Sequence, residues 1–243
     1  MTAPRSLQQL YEDPATLLIS GSPRARLQAQ MLVDVAAPAR RPLRAVDVGC
    51  GDGTWTAMAA DFATKAGIDV TVIGLDWSVA ALTQARGHGL EVVRGSVEDP
   101  GLPLRSRSVD IVIISELIEH LVDTDTALSE ARRVLVPGGS LLLSTPNLAA
   151  WYNRALLMAG IQPMFTEVSL QGIYGRPGHE VVGHLRVFTR RALVGLLVAH
   201  GFEDVRITGA PYHDVPRALR PLDRLLCRTP SLSSILLASA HAP

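Results

Sequence analysis

The stretch Ala45-Val46-Asp47-Val48-Gly49-Cys50-Gly51-Asp52-Gly53 places three glycines at two-residue spacing, directly after an apolar run. Glycines in such a position permit a tight turn and let backbone N–H groups approach a ligand closely. The spacing GxGxG differs from the GxGxxG of dinucleotide-binding turns. Carboxylates recur around it. Asp47 sits at the end of the apolar run, where it would repel a phosphate. Asp76 ends the next apolar run, 29 residues on, where a ribose diol would lie. Glu98 and Asp99 follow a third run, and Glu116 and Glu119 follow a fourth. The ligand these residues suit has a ribose, no phosphate and a positive charge.

Histidines form a second set. His184 lies in GHLRVFT (183–189), His179 precedes it by five residues, and His120 neighbours Glu119. An imidazole with a pKa near 6.5 is the natural general base at neutral pH. His184 is therefore the first candidate for a base, with His120 and His179 behind it. Glu119 reads as a solvated helix residue and Ser78 as a helix cap. Cys50 occupies a variable position of the glycine turn with no adjacent histidine, so it reads as packing rather than as a nucleophile. No two histidines share a ligand spacing with carboxylates, so no metal site is expected. Asn147 and Arg186 could grip an acidic acceptor, as could Arg154 and Arg176. Tyr152 and Tyr174 could pave an apolar pocket, together with Tyr11, Trp151 and Phe165.

The elements that must position these residues follow a rhythm. Strands are expected over 43–48, 70–75, 91–94, 109–114 and 141–144, and helices over 54–65, 79–86 and from Asp123 or Thr124 to 134. Pro137-Gly138-Gly139 is expected to stop that last helix. Strand–helix alternation with uniformly apolar strands is the habit of a parallel sheet covered on both faces. The rhythm then breaks. A helix over 148–159, with Trp151, Ala155 and Met158 on one face, and a loop over 160–183 separate the fifth strand from a helix capped by Thr189 (190–200). This connection far exceeds the usual two to six residues, and its place after a strand's carboxyl end suits a lid. A strand over 203–208, a helical stretch over 214–228 and a last antiparallel strand over 234–240 complete the chain. Helices are also expected over 5–11 and 24–36.

Composition narrows the classes. The chain has 243 residues, 47% hydrophobic and 19% charged, which excludes a disordered chain and supplies a sizeable core. Net charge is zero, which disfavours a dedicated duplex-binding protein. That zero is a sum: residues 1–150 carry 13 basic and 17 acidic groups, and residues 151–243 carry 10 and 6. Cys50 and Cys227 form no CxxC pair, so a reduced cytoplasmic protein is expected. No signal peptide or membrane span is legible.

Taken in order, the motifs resemble those of class I S-adenosylmethionine-dependent methyltransferases, in the small UbiE/UbiG-like branch. VDVGCGDG (46–53) is similar to their first motif and IGLDWS (73–78) to the second-strand motif. RGSVEDPGLP (94–103) is similar to their adenine loop, VDIVIISELIEHL (109–121) to the fourth motif, and RRVLVPGGSLLLSTPN (132–147) to the fifth-strand block. The resemblance implies S-adenosylmethionine as cofactor. It implies that Asp47, Gly49, Cys50, Gly51 and Gly53 line the methionine part, that Asp76 holds the ribose hydroxyls, and that Trp77 lies beside the adenine. Ser96, Val97 and Glu98 would border the adenine ring, and Ser115 and Glu116 the reactive end. Ser96 stands where the family often has Asp. The implied fold is α/β: a doubly wound, mostly parallel seven-stranded Rossmann-like sheet with an N-terminal helical cap and a lid insertion after the fifth strand. One domain, 1–243, divides into a cap (1–41), a donor-binding core (42–146), a lid and acceptor insertion (147–188) and the C-terminal part of the sheet (189–243). The expected reaction is methyl transfer to a small-molecule acceptor of secondary metabolism, on oxygen in preference to nitrogen or carbon. Methylation of nucleic acid or protein, and a nicotinamide-dependent oxidoreductase on the same fold, are the alternatives. A metal-dependent catechol-type enzyme is disfavoured. A homodimer is compatible with the sequence, which does not fix the oligomeric state.

Overall fold

The computed structural model describes residues 22–98, 100–178, 181–213 and 215–243. The strands are β1 (Leu43–Val48), β2 (Val70–Asp76), β3 (Val92–Arg94), β4 (Val109–Ser115), β5 (Leu135–Pro146), β6 (Glu203–Ala210) and β7 (Ile235–His241). They form one sheet in the order β3-β2-β1-β4-β5-β7-β6. The first five pair in parallel, and β7 runs antiparallel between β5 and β6. This is the doubly wound α/β architecture that the apolar strands imply. The strand order reverses between β1 and β4, and a ligand crevice opens at the carboxyl ends beside such a switch point.

The helices are α1 (Pro23–Ala36), α2 (Thr54–Lys65), α3 (Val79–Gly87), α4 (Thr124–Val134), α5 (Trp151–Met158), α6 (Arg190–Ala199) and α7 (Arg220–Leu226). Ser22 caps α1 by accepting from the Ala25 N–H, and Pro23 starts it with a preset φ. Its small residues Ala25, Ala29 and Ala36 let it lie close against Trp55, Ala59 and Ala63 of α2, over Ile111 and Ile113. α4 and α6 cover the opposite face, where Leu128, Leu193 and Leu197 join a core with Val112, Ile114 and Leu143. α1 thus packs on the sheet as a covering layer. The helix expected over 5–11 lies outside the described residues.

Two local expectations are corrected. Pro137-Gly138-Gly139 does not separate helix from strand. α4 ends at Val134 and β5 begins at Leu135, running through the Pro-Gly-Gly. Gly138 takes φ +76° and donates its N–H to the Ala242 carbonyl, while a Cβ on Gly139 would lie 2.8 Å from the Val136 carbonyl oxygen. The glycines here admit close backbone approach within a long strand. In α5, Met158 is 85% exposed, and the buried residue is Asn153. Asn153 is turned inward because its amide bonds the Met164 N–H and carbonyl and the Asn147 carbonyl, closing the turn after the helix. Other element bounds fall within a few residues of expectation. Among the described residues, no helix is long and apolar enough to cross a membrane.

Candidate active site

A cavity of about 740 Å³ lies at the carboxyl ends of the strands. One half is walled by the β1–α2 turn, the end of β2 and the segment after β3. The other half is walled by the residues after β4, by Phe165, Val182 and His184 of the long connection, and by Tyr212 and His213 after β6.

The turn is held in shape by its own chemistry. Gly49, Gly51 and Gly53 all take positive φ, the left-handed region that side chains disfavour. A Cβ on Gly53 would lie 2.9 Å from the Ala85 Cα, so α2 and α3 approach each other only because that atom is absent. Asp76 accepts from the Gly51 N–H at 3.0 Å and the Ser78 N–H at 2.8 Å, tying the turn to the end of β2. Ser78, as expected, caps α3 by accepting from the Ala81 N–H. Burial raises the Asp76 pKa against the pull of those N–H groups. Each Asp76 oxygen keeps a further lone pair for a ligand.

Gly49, Cys50, Gly51, Asp76, Trp77, Ser96, Val97, Glu98, Ser115 and Glu116 all line the cavity. Asp47 and Gly53 do not. They sit one layer behind, and the Asp47 carboxylate accepts from the Thr56 hydroxyl. Burial, more than the nearby Asp76 charge, raises the Asp47 pKa to about 7, although Thr56 opposes the shift. Its Oδ1 is buried with no hydrogen-bond partner, as is Oε1 of Glu116. The Cys50 thiol packs under Gly74 and is pushed far up by burial and by Asp47, so it is no nucleophile. Cys227 is likewise raised by burial, to about 11.

A match to the family model described as "Methyltransferase domain" covers residues 46–143. A Mycolicibacterium smegmatis protein described as "Probable S-adenosylmethionine-dependent methyltransferase" is 33% identical over 64% of this chain. The chain spans 59% of that relative's length. The ubiquinone/menaquinone biosynthesis C-methyltransferase UbiE of Rubrivivax gelatinosus is 32% identical over 78% of this chain and 72% of its own. This chain belongs to the class I S-adenosylmethionine-dependent methyltransferases. A solved methyltransferase of Thermotoga maritima shares the fold, with a TM-score of 0.59 and 18% identity over 90% of this chain and 91% of its own.

The residues fit the donor this methyltransferase family uses. S-Adenosylmethionine carries an ammonium and a sulfonium; Oδ1 of Asp47 is a buried acceptor without a hydrogen-bond donor, and Oε1 of Glu116 has only the Arg24 guanidinium at 4.0 Å. An unpartnered buried carboxylate is costly, so a cationic ligand nearby offsets that cost.

Several acceptor-side expectations are corrected. Asn147 is fully buried outside the cavity, where its side chain donates to the Ser233 carbonyl and accepts from the Ala149 N–H. Arg186 is exposed and bonds the Val122 carbonyl, and Tyr174 is 60% exposed. Tyr152 is absent from the cavity lining, and burial raises its hydroxyl pKa strongly. Arg154 braces the Ala149 and Ser231 carbonyls, and Arg176 pairs with Glu167 in the connection. His179 lies outside the described residues, as does Tyr11.

Two features escaped the sequence. Arg24 and Gln28 reach the cavity region from α1: Gln28 donates to the Ser115 hydroxyl at 2.6 Å, and Arg24 lies 4.0 Å from Glu116. The second is Glu119. It is buried, not solvated, and it lines the cavity beside His120 and His184. The three ligand atoms of Glu119, His120 and His184 lie within 4.8 Å of one another. Sixty-four residues separate His184 from the adjacent pair Glu119-His120, and the fold joins them.

Proposed function

We propose that this chain transfers the methyl group of S-adenosylmethionine to a small-molecule acceptor, with oxygen as the acceptor atom. The observation that carries this reading is that one cavity has two halves that differ in chemistry. One half is the acidic, glycine-walled strand end. The other is lined by Phe165, Val182, His184, Tyr212 and His213. Its volume falls within the range of roughly 300–1,000 Å³ typical of small-molecule sites.

When bound, the donor supplies a sulfonium-activated methyl group. The chain's own residues bind, orient and exclude water. Asp76 takes the ribose hydroxyls, and Trp77, Ser96, Val97 and Glu98 border the adenine. The turn Gly49–Cys50–Gly51 meets the methionine part. Asp47 acts from behind the turn as a buried hydrogen-bond acceptor, and Arg24 is placed to meet the donor's carboxylate. Ser115 is held by Gln28 near the boundary of the two halves. Phe165, Val182 and His184 of the long connection line the acceptor half. Alignment of nucleophile and methyl group is the main contribution of such a site.

His120 and His184 are held in the neutral form by burial. Burial lowers His184 to a pKa of about 4 and His120 to about 3, with the neighbouring His184 adding to the second shift. A base works best with a pKa near the operating pH, so these rings do not by themselves deprotonate an acceptor hydroxyl. The test is a labelled-methyl assay against a metabolite extract, with mass-spectrometric identification of the product. A labelled product of low mass is expected. Label appearing only in protein or nucleic acid added to the same assay would overturn the small-molecule reading.

A further inference from the structure

We propose that Glu119, His120 and His184 form a site for a divalent transition-metal ion of the zinc class, opening onto the acceptor half of the cavity. Two imidazoles and one carboxylate are the donor set of open catalytic zinc sites, and imidazole selects such ions over magnesium or calcium. Around a tetrahedral ion with bonds of about 2.1 Å, ligand atoms stand about 3.4 Å apart. The observed limit of 4.8 Å therefore needs a contraction of at most about 1.4 Å, which side-chain rotation supplies.

Three independent features support it. The first is the outer shell. The His184 Nδ1 lies 3.0 Å from the Phe165 carbonyl and the His120 Nδ1 lies 3.3 Å from the Gly183 carbonyl. Each ring thus donates from Nδ1, which makes Nε2 its lone-pair nitrogen. Glu119 Oε2 accepts from the Thr145 hydroxyl at 3.0 Å. Metal-ligating histidines nearly always carry such a second hydrogen bond. The second is the orphan: Glu119 is 1% exposed, and its Oε1 has no hydrogen-bond partner. A carboxylate oxygen buried this way lacks the cation that would compensate it. The third is the frame. The Leu185 and Arg186 N–H groups both donate to the Glu119 carbonyl, at 2.8 and 2.9 Å. His184 is thereby held by backbone bonds against the 3-10 turn Ile118–His120.

Two charged groups act on Glu119 from the cavity side: the Glu116 carboxylate, and the Arg24 guanidinium, which lies 4.0 Å from Glu116. Glu167 and Arg176, behind the rings, neutralise each other. A bound ion with one open position facing the cavity would take an oxygen ligand and lower its pKa. That role rests on the methyl-transfer reading, whereas the site itself does not.

The test uses the full chain stripped of metal and titrated with Co²⁺ alone. A visible ligand-field band saturating at one ion per chain, and displaced by Zn²⁺, is the expected result. Glu119→Gln and His184→Ala should each weaken Co²⁺ affinity at least tenfold, with melting curves confirming that both variants fold. Asp76→Ala, which removes the proposed ribose contact, should leave the band in place. No band at millimolar Co²⁺, or a band indifferent to both ligand variants, would overturn the proposal. In that outcome a protonated Glu119 hydrogen-bonded to a ring nitrogen accounts for the cluster. Failure of donor binding with the Co²⁺ band intact would count against methyl transfer alone.

Discussion

Gly53→Ala tests whether the glycine turn is set by sterics. The residue has φ +76°, and the left-handed region costs a residue with a Cβ about 1–2 kcal/mol. The new Cβ would also stand 2.6 Å from Leu90 Cδ1, 2.7 Å from Ala85 Cβ and 2.9 Å from Ala85 Cα. Leu90 can rotate, but the Ala85 backbone belongs to α3 and must shift with it. Overpacking of this kind costs about 1–3 kcal/mol. The sum is about 3 kcal/mol, and for a domain of this size it lowers Tm by about 6–12 °C. Gly89→Ala is the control. It has φ +79° with nothing within 4 Å of its Cβ, so it carries the backbone cost alone. Gly87→Ala, at the end of α3 with ordinary φ and open space, should be neutral or slightly stabilising. Thermal or urea unfolding of the three variants separates the terms. A Gly53→Ala variant no less stable than Gly89→Ala would refute the close approach of α2 and α3.

Other outcomes follow from the same geometry. Asp76→Ala should weaken S-adenosylmethionine binding at least tenfold by calorimetry, and unchanged affinity would sink the ribose assignment. Asp47 has a folded pKa of about 7, above the ordinary carboxylate value, so the folded state holds a proton that the unfolded state releases. Stability of the ligand-free chain should therefore fall as pH rises from about 4 to 7, and Asp47→Asn should shrink that slope in urea titrations. An unaltered slope would place the shift elsewhere. Gln28→Ala strips the buried Ser115 hydroxyl of its donor and frees Arg24 from its 3.3 Å contact. A loss of about 2 kcal/mol is expected, and a loss under 0.5 kcal/mol would show that α1 does not brace the site.

The sheet and the donor half were legible because their signals are local. Each parallel strand is buried on both faces and reads as an apolar run, and each carboxylate at its end sits next to that run in sequence. The Thr189, Ser78 and Asp123 caps were readable for the same reason. The acceptor half depends on contacts between distant segments. Glu119 meets Leu185 and Arg186 across more than 60 residues, so a glutamate in a charged-looking stretch became a buried group. Asn147 and Arg186 carried the chemistry of ligand grips, but backbone carbonyls claimed them first. Arg24 gave no signal, since an arginine early in an amphipathic helix is ordinarily solvated. Pro137-Gly138-Gly139 misled because turn chemistry outweighed the pairing of Leu135 with Val109.

The turn also decides between the two ligand classes that this fold admits. A dinucleotide site offers free backbone N–H groups to a pyrophosphate. Here the Gly49 and Cys50 N–H groups donate to the Leu75 carbonyl, and the Gly51 N–H to Asp76. The Gly53 N–H donates to the Cys50 carbonyl, and the Thr54 N–H to Asp52. The donors that would cradle an anion are spent on the protein's own oxygens, and two of those oxygens belong to carboxylates. What faces the cavity is therefore acceptor-rich and negative. A phosphate would have to break these bonds and approach Asp52 and Asp76, whereas a ribose diol can donate to lone pairs already in place. The GxGxG backbone, with its N–H groups bound to Asp76 and to carbonyls of its own strands, thus suits a hydroxyl-bearing cation better than a phosphate.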